Sequence, residues 1–406
     1  MPTKNLSLVD YSEITNSAPI ASRSHGWRAK CLQRLVRLDM PVPKTVALSF
    51  DAVRAIAAGA MPELGSLLER FRTGQLLSVR PSAENPDWGG PGAILNIGMN
   101  DERHAEIAAL HGDDTATALY LAFVQSYAQH VARLDPDMFS GVEPSLPALQ
   151  AALRDYESEM EEPFPQDATR QLAEVLRSMA RAWEGTSARL LRQAKGAPTE
   201  AGLGLVVQAM AGGFGTADSG AGVIQFIDPI TGAPQITGRY AVRGQGREAV
   251  SNNPQAMFLT QDPRGPSLEE QNPEAFGELT RFGPKTREKL REEMQIEFTV
   301  VNGAVWVLDA LKVQRSSRAT VCTVVAMAQD GIINKKEALM RISPASLSDL
   351  LHRQVDPRGT REVIVRGIAA SPGAATGKLV FTSTAAQASA ARDEACILVR
   401  RETTPE

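Results

Sequence analysis

The change of hydrophobic periodicity near residue 200 restricts the fold of this chain more than any other feature of its sequence. Residues 116–134 and 168–195 carry long amphipathic patterns of helical period. An acidic, proline-punctuated connection at 143–165 joins them. Beyond residue 200 the apolar runs become short and alternating, and turn residues separate them. A helical layer next to antiparallel strands predicts the α+β class.

Strands are predicted on both sides of the helical stretch. Ser49 is placed to cap a helix that follows the run at 45–49, and Asn302-Gly303 has the residues of a type I′ hairpin turn. The predicted strands are 45–49, 76–80, 204–210, 222–227, 235–242, 297–301, 304–308, 362–367, 377–381 and 395–399, with a turn at 371–373. Further helices are predicted at 27–38, 273–293, 318–329 and 335–342.

Composition excludes several classes of protein. The net charge of −4 over 406 residues lacks the basic excess of a dedicated nucleic-acid binder. Cys31, Cys322 and Cys396 lie far apart, which indicates neither a zinc site nor a disulfide framework. The first residues lack the layout of a signal peptide, and the weakly polar run at 319–328 is too short to span a bilayer. We therefore expect a cytoplasmic protein that binds neither nucleic acid nor membrane.

Eleven short phrases follow one another in a fixed order along residues 26–406. They are LDMPVP at 38–43, LSVR at 77–80, ILNIGMND at 94–101, FVQSY at 123–127, FPQ at 164–166, SGAGV at 219–223, DPITG at 228–232, QG at 245–246, MQIEFT at 294–299, ASPGAA at 370–375 and ILVRRETTPE at 397–406. In this order and at nearly this spacing they resemble the pyruvate phosphate dikinase family.

The resemblance implies an ATP-grasp-like, two-lobed nucleotide-binding module with a helical insertion, followed by a partial swivelling β/α domain. The lobes would be 1–115 and 201–355, the insertion 116–200, and the incomplete phosphohistidine domain 360–406. In the family, ATP phosphorylates a histidine on the swivelling domain, which carries the phosphate to a barrel where pyruvate becomes phosphoenolpyruvate. None of the five histidines here occupies the carrier position. We therefore expect this chain alone not to complete that reaction.

The resemblance also implies phosphate ligands. The family lysine of a Gly-Gly-Lys-Gly phrase aligns with Arg28, and the arginine of its Ser-Val-Arg phrase is Arg80. For each arginine the alternative is structural: a solvated helix cation for Arg28 and a surface ion pair for Arg80. The glycines of the phosphate loop persist at Gly89, Gly90 and Gly92, where N–H groups would line a concavity. Glu84 and Asp87 oppose a triphosphate there.

Magnesium ligands are expected on one strand and its neighbour. Gln295 and Glu297 stand where the family has Asp-x-Glu, and alternation sends both side chains to one face. Asp309 is placed to supply a second carboxylate, which Mg²⁺ prefers to an amide. Gln245, from the family's Gln-Gly phrase, is expected to contact the nucleotide. No catalytic residue is assigned.

Three interpretations of the chain remain open. It is an ATP-binding component that uses Mg²⁺ and phosphorylates a histidine on a separate chain. Alternatively, it is a non-catalytic module that binds a nucleotide, another anion or a protein. The third is a frameshifted gene or an artificially shortened chain. An incomplete swivelling domain would expose strand edges, which favours a partner chain or self-association.

Overall fold

The computed structural model describes residues 11–139, 143–213, 219–245, 253, 256–352, 355–356, 359–360, 362–365 and 374–400. The chain divides into two compact units. The larger unit holds the chain up to Phe226 together with Gln235–Val313. The smaller holds Ile227–Pro234 and the chain from Gln314 onward. Across the described ranges, none of the helices has the length and apolar character needed to cross a membrane.

The first sheet of the larger unit has five antiparallel strands in the spatial order β1-β2-β5-β3-β4. They are β1 (Tyr11–Glu13), β2 (Thr45–Leu48), β3 (Leu77–Ala83), β4 (Ile94–Ile97) and β5 (Leu203–Ala209). The strands predicted at 45–49, 76–80 and 204–210 are confirmed. β3 continues beyond the predicted residue 80 through Pro81 and pairs with β5 as far as Ala83.

Side chains of the central strand alternate between two apolar cores. Leu205 and Val207 belong to a core shared with a layer of helices, whereas Val206 belongs to a core shared with the second sheet. Arg80 lies opposite Val206 in the register of β3 and β5, so its side chain leaves the sheet on the same face as that of Val206. Polar residues of β3 are thereby presented to the second sheet.

The first helix, α1 (Ser22–Arg37), is interrupted at Gly26, whose φ of 83° is not helical. A Cβ on Gly26 would lie 1.7 Å from the carbonyl oxygen of Ser82, so only glycine permits this approach to β3. The regular part of α1 therefore starts near the predicted residue 27. The break sets Arg28 beside the end of β3.

The helical layer covers the other face of the first sheet. Its members are α2 (Phe50–Ala57), α3 (Leu64–Leu68), α4 (Asp101–His111), α5 (Asp113–Tyr127), α6 (Leu146–Met160), α7 (Ala168–Glu184) and α8 (Thr186–Ala194). Ser49 accepts a hydrogen bond from the N–H of Ala52, which confirms the predicted cap of α2. Edge-to-face contacts of Phe164 with Tyr127 and Tyr156 help to hold the layer together.

Two details of the helical prediction were wrong. The segment at 143–165, taken as a connection, contains α6, which Ser145 caps and whose first turn tolerates Pro147. The continuous pattern at 168–195 is two helices, because Gly185 has φ −59° and ψ 141° and ends α7. Amphipathic period alone did not show this interruption.

The second sheet, also in the larger unit, has the order β10-β9-β6-β7-β8. Its strands are β6 (Gly220–Ile227), β7 (Pro234–Val242), β8 (Met257–Phe258), β9 (Met294–Val301) and β10 (Ala304–Lys312). Two helices precede β9, namely α9 (Leu268–Gln271) and α10 (Pro273–Leu290). Asn302 and Gly303 have φ of 50° and 83°, which confirms the predicted hairpin turn between β9 and β10.

The smaller unit contains α11 (Ser317–Gln329), α12 (Lys335–Met340), α13 (Pro344–Leu351), β11 (Lys378–Val380), α14 (Ser383–Ala391) and β12 (Cys396–Leu398). β11 and β12 pair in parallel, and the helices predicted at 318–329 and 335–342 are confirmed. The strand predicted at 362–367 was wrong at 362–365, which have no regular structure. Its last two residues and the expected turn at 371–373 lie outside the described residues.

Candidate functional site

A quartet of opposite charges joins the first sheet and helix α1 to the second sheet. Nε of Arg28, on α1, donates to Oδ2 of Asp309, on β10, at 2.6 Å. Nη1 of Arg80, on β3, lies 3.4 Å from Oε2 of Glu297, on β9. Both arginines expected as phosphate ligands thus contact the two carboxylates expected as magnesium ligands. We call these four residues the charged quartet.

Local strand geometry places the two carboxylates side by side. Asp309 is opposite Glu297 in the register of β9 and β10, next to an irregularity between Val307 and Asp309. Directly opposed like charges are destabilising in a sheet, so each carboxylate needs a cation close by. Arg28 and Arg80 supply those cations, and the quartet carries no net charge.

Burial makes this neutralisation necessary. The Asp309 side chain is fully buried, those of Arg80 and Glu297 are 8% exposed, and that of Arg28 is 19% exposed. Desolvation acts to lower the pKa of the Arg28 guanidinium, but the charge and hydrogen bond of Asp309, with the charge of Glu297, raise it overall. Arg28 also donates through Nη1 to the carbonyl of Pro81, which ties α1 to the end of β3.

A small cavity of about 20 Å³, room for about one water molecule, lies beside Arg80. Gln245, Thr299 and Met210 also line it. Among the described residues, Nε of Arg80 and Nε2 of Gln245 have no hydrogen-bond partner although both atoms are buried. Unpaired buried donors are uncommon and favour a site that is completed by an acceptor.

A larger cavity of about 490 Å³ shares the segment 209–211 with the small one. Lys44, Arg70 and Arg72 contribute cations to its lining, and Trp306 contributes an aromatic ring. Its volume lies in the range of small-molecule sites, and its cations favour an anionic ligand. Sequence reasoning missed these residues, because no phrase around them signals a ligand.

The predicted phosphate loop with Gly89, Gly90 and Gly92, here called the glycine loop, lies against the helical layer. A Cβ on Gly89 would be 3.5 Å from Nζ of Lys195, and one on Gly90 would be 3.5 Å from the ring of Trp183. A Cβ on Gly92 would be 4.0 Å from Nε2 of His130. The loop therefore has a lysine beside it despite its own acidic residues. Lys195 is a candidate phosphate ligand that sequence reasoning missed.

Gln295 occupies the expected face of β9 but has a different partner. Its Oε1 accepts from Nε2 of Gln225 at 2.8 Å, whereas the neighbouring Met294 and Ile296 join the apolar core. Within the described residues, no group of three His, Cys, Asp or Glu side chains is arranged to hold a metal ion. Glu297 and Asp309 are the two carboxylates that the fold does bring together.

The protein is of the α+β class and has two open sheets, and polar residues of the first sheet face the second at the charged quartet. This layout is consistent with an ATP-grasp-like module. No family model matches the chain. Curated proteins, in contrast, are similar to it in sequence. Pyruvate, phosphate dikinase of Rhizobium meliloti (strain 1021) is 32% identical over 426 residues, covering 94% of this chain and 47% of the relative.

Further relatives carry the same name. The chloroplastic pyruvate, phosphate dikinase 1 of Oryza sativa subsp. japonica is 30% identical over 353 residues, 82% of this chain and 36% of that protein. The pyruvate, phosphate dikinase of Rickettsia conorii is 29% identical over 349 residues, 82% of this chain and 40% of the relative. The chain is thus similar to pyruvate, phosphate dikinases over most of its length, as its motifs predict. It spans about half the length or less of these relatives.

Proposed function

We propose that the larger unit binds Mg·ATP between its two sheets and is the ATP-binding component of a dikinase-like phosphoryl transfer. The acceptor would be a histidine on another chain or on a segment outside this sequence. The observation that carries the proposal is the charged quartet, in which cations from α1 and the first sheet lie within ion-pair distance of two carboxylates from the second sheet. Phosphoryl transfer needs mainly such positioned charges.

The quartet suits a nucleotide because its partners can be exchanged without leaving a buried charge alone. Phosphate oxygens would replace the carboxylates as acceptors for Arg28 and Arg80, and guanidinium groups bind phosphate in a bidentate manner. The freed carboxylates of Glu297 and Asp309 would contribute to a Mg²⁺ site. Each guanidinium group would then keep an anionic partner, and each carboxylate would keep a cation close by.

The donor set fits magnesium that arrives with its nucleotide. Mg²⁺ in such sites is held by one or two carboxylates together with phosphates and water, and two adjacent carboxylates meet that need. The ion supplies charge neutralisation at the phosphates when it is bound. A preformed cage of protein ligands is not required, and the described residues contain none.

The cavities supply the remaining space. Nε of Arg80 and Nε2 of Gln245 are donors in need of an acceptor, and the adjoining volume of about 490 Å³ accommodates a nucleotide-sized ligand. Lys195 beside the glycine loop supports the same proposal, since it provides a cation where Glu84 and Asp87 would repel phosphates.

A second candidate is a non-catalytic module that binds a nucleotide, another anion or a protein. The observation in its favour is that the family's paired acidic positions are here Gln295 and Glu297, and the amide of Gln295 is already bonded to Gln225. In this case the ion pairs Arg28–Asp309 and Arg80–Glu297 serve as structural links between the sheets.

Calorimetric titration of the purified chain with Mg·ATP, ADP and pyrophosphate tests the proposal. We expect micromolar binding of Mg·ATP that depends on Mg²⁺, and a loss of about tenfold or more in Arg80→Gln, because a charge-assisted phosphate contact disappears. Arg189→Gln, which removes an exposed arginine paired with Glu184, is the matched control and should bind like the wild type. No heat at millimolar nucleotide would refute the proposal. Binding without Mg²⁺ dependence would favour the non-catalytic module.

A further inference from the structure

A second basic cavity lies in the helical layer, away from the charged quartet. Its volume is about 330 Å³, and its lining includes Arg133, Arg177, Arg181, Glu174 and Ser178. Arg177 and Arg181 are four residues apart on α7 and therefore share one face of that helix. Arg133 is the residue of left-handed conformation that ends the π-helix Ala128–Ala132. Three guanidinium groups thus line one concave surface.

In the described part of the protein, direct ion pairs do not neutralise the three arginines. None of them takes part in an ion pair or a hydrogen bond with another described residue. Arg133 and Arg181 are exposed and Arg177 is partly buried, so the three like charges are accessible to an anion from solvent.

The carboxylate in the same lining does not neutralise them. Oε1 of Glu174 accepts from Nε of Arg170 at 2.8 Å, and Oε2 accepts from the hydroxyl of Tyr127. Both oxygens of Glu174 are therefore engaged, and Arg170 is shared between Glu174 and Glu162, so the lining sets one carboxylate against three arginines. The excess positive charge in the cavity belongs to Arg133, Arg177 and Arg181.

The surrounding structure holds the site in place. Oγ of Ser178 donates to the carbonyl of His130 at 2.6 Å, which fixes α7 to the π-helix that precedes Arg133. Arg133 itself has φ of 64°, a backbone conformation that residues other than glycine seldom adopt. The contact between Ser178 and His130 holds together the two elements that supply the cationic side chains of the cavity.

We propose that this cavity binds a small, multiply charged phosphate compound, such as a phosphate ester or pyrophosphate, at a site separate from the charged quartet. Guanidinium groups from two elements match the several oxygens of a phosphate and form bidentate contacts with it. The volume and concave shape suit a small molecule better than an extended macromolecule, whose surface would need a wider basic area. The proposal does not depend on nucleotide binding at the quartet.

Pyrophosphate binding in the presence of a metal chelator tests this site, in an Arg80→Gln background that disables the proposed nucleotide site. We expect saturable binding in Arg80→Gln and a loss of about tenfold or more when Arg177→Gln and Arg181→Gln are added. Arg177→Lys with Arg181→Lys should retain part of the affinity, since charge persists without the bidentate geometry. The matched control adds Arg154→Gln and Arg189→Gln, which remove two exposed arginines outside the cavity and should leave binding unchanged.

Two outcomes would overturn the proposal. One is no pyrophosphate binding in Arg80→Gln, and the other is equal affinity with and without Arg177 and Arg181. An acidic peptide that binds through these arginines while pyrophosphate does not would also overturn it, because the ligand would then be a protein segment. Loss of Mg·ATP binding in Arg80→Gln, measured separately, bears on the quartet alone and leaves the two proposals distinguishable.

Discussion

Nη1 of Arg80 lies 3.4 Å from Oε2 of Glu297, and only 8% of each side chain is exposed. This pair links a strand of the first sheet to a strand of the second. Breaking one half of a buried pair costs more than removing both halves, because the remaining charge stays buried without a partner. The pair therefore has a structural role that can be measured apart from ligand binding.

The first prediction concerns the stability contributed by this pair. Glu297→Gln and Arg80→Met should each lower the free energy of unfolding by about 3–5 kcal/mol, whereas the double variant should recover much of that loss. Urea unfolding of the four proteins measures the coupling. The exposed pair Arg189–Glu184 is the control, with an expected coupling of about 0–1 kcal/mol. A double variant as unstable as the sum of the two single variants would contradict the prediction.

The second prediction concerns the break in α1. In Gly26→Ala the new Cβ would overlap the carbonyl of Ser82, and the backbone would have to leave its φ of 83°. We expect a loss of stability larger than the roughly 1–3 kcal/mol of ordinary overpacking. The control is Gly277→Ala on α10, where a Cβ meets no atom within 4 Å and should stabilise the helix by about 0.5–1 kcal/mol. Thermal unfolding compares the two, and equal midpoints would refute the close approach.

The third prediction concerns pH. Burial lowers the pKa of His25 below its usual 6.5, so the unfolded chain takes up a proton at this residue before the folded protein does. The contribution of neutral His25 to stability is therefore complete above about pH 6.5 and is lost as the pH falls below it. We expect the free energy of unfolding to decrease from about pH 7.5 to about pH 5.5, and to do so less in His25→Gln. Identical slopes in denaturant titrations of the two proteins would contradict this.

How far the sequence predicts this structure depends on whether a feature is local. The hairpin at Asn302-Gly303 and the cap at Ser49 were predictable, because turn and capping residues act within a few positions. The family resemblance was also readable, since it rests on many phrases. α6 was missed because its acidic, proline-containing sequence hides a helix that packing onto α5 stabilises.

The sequence indicated the four residues of the charged quartet as candidates but not their arrangement. Alternation placed Gln295 and Glu297 on one face of β9, as the structure shows. The pairing of Arg28 with Asp309 joins residues 281 positions apart, and no local pattern reports such a contact. The cation of Lys195 beside Gly89, and the unpaired arginines of the helical layer, likewise depend on tertiary packing. Their roles as ligands stay predictions until binding is measured.

The central position of β5 in the first sheet affects the order in which this protein can fold during its synthesis. β2 and β3 are made early but do not pair with each other, since β5 lies between them and comes after the whole helical layer. A chain emerging from the ribosome must therefore hold two unpaired strand edges apart until residues 203–209 arrive. Any fragment that stops before β5 would keep those edges open. The helical layer packs on the first sheet, and that sheet is complete only when β5, its last strand in the sequence, has been made.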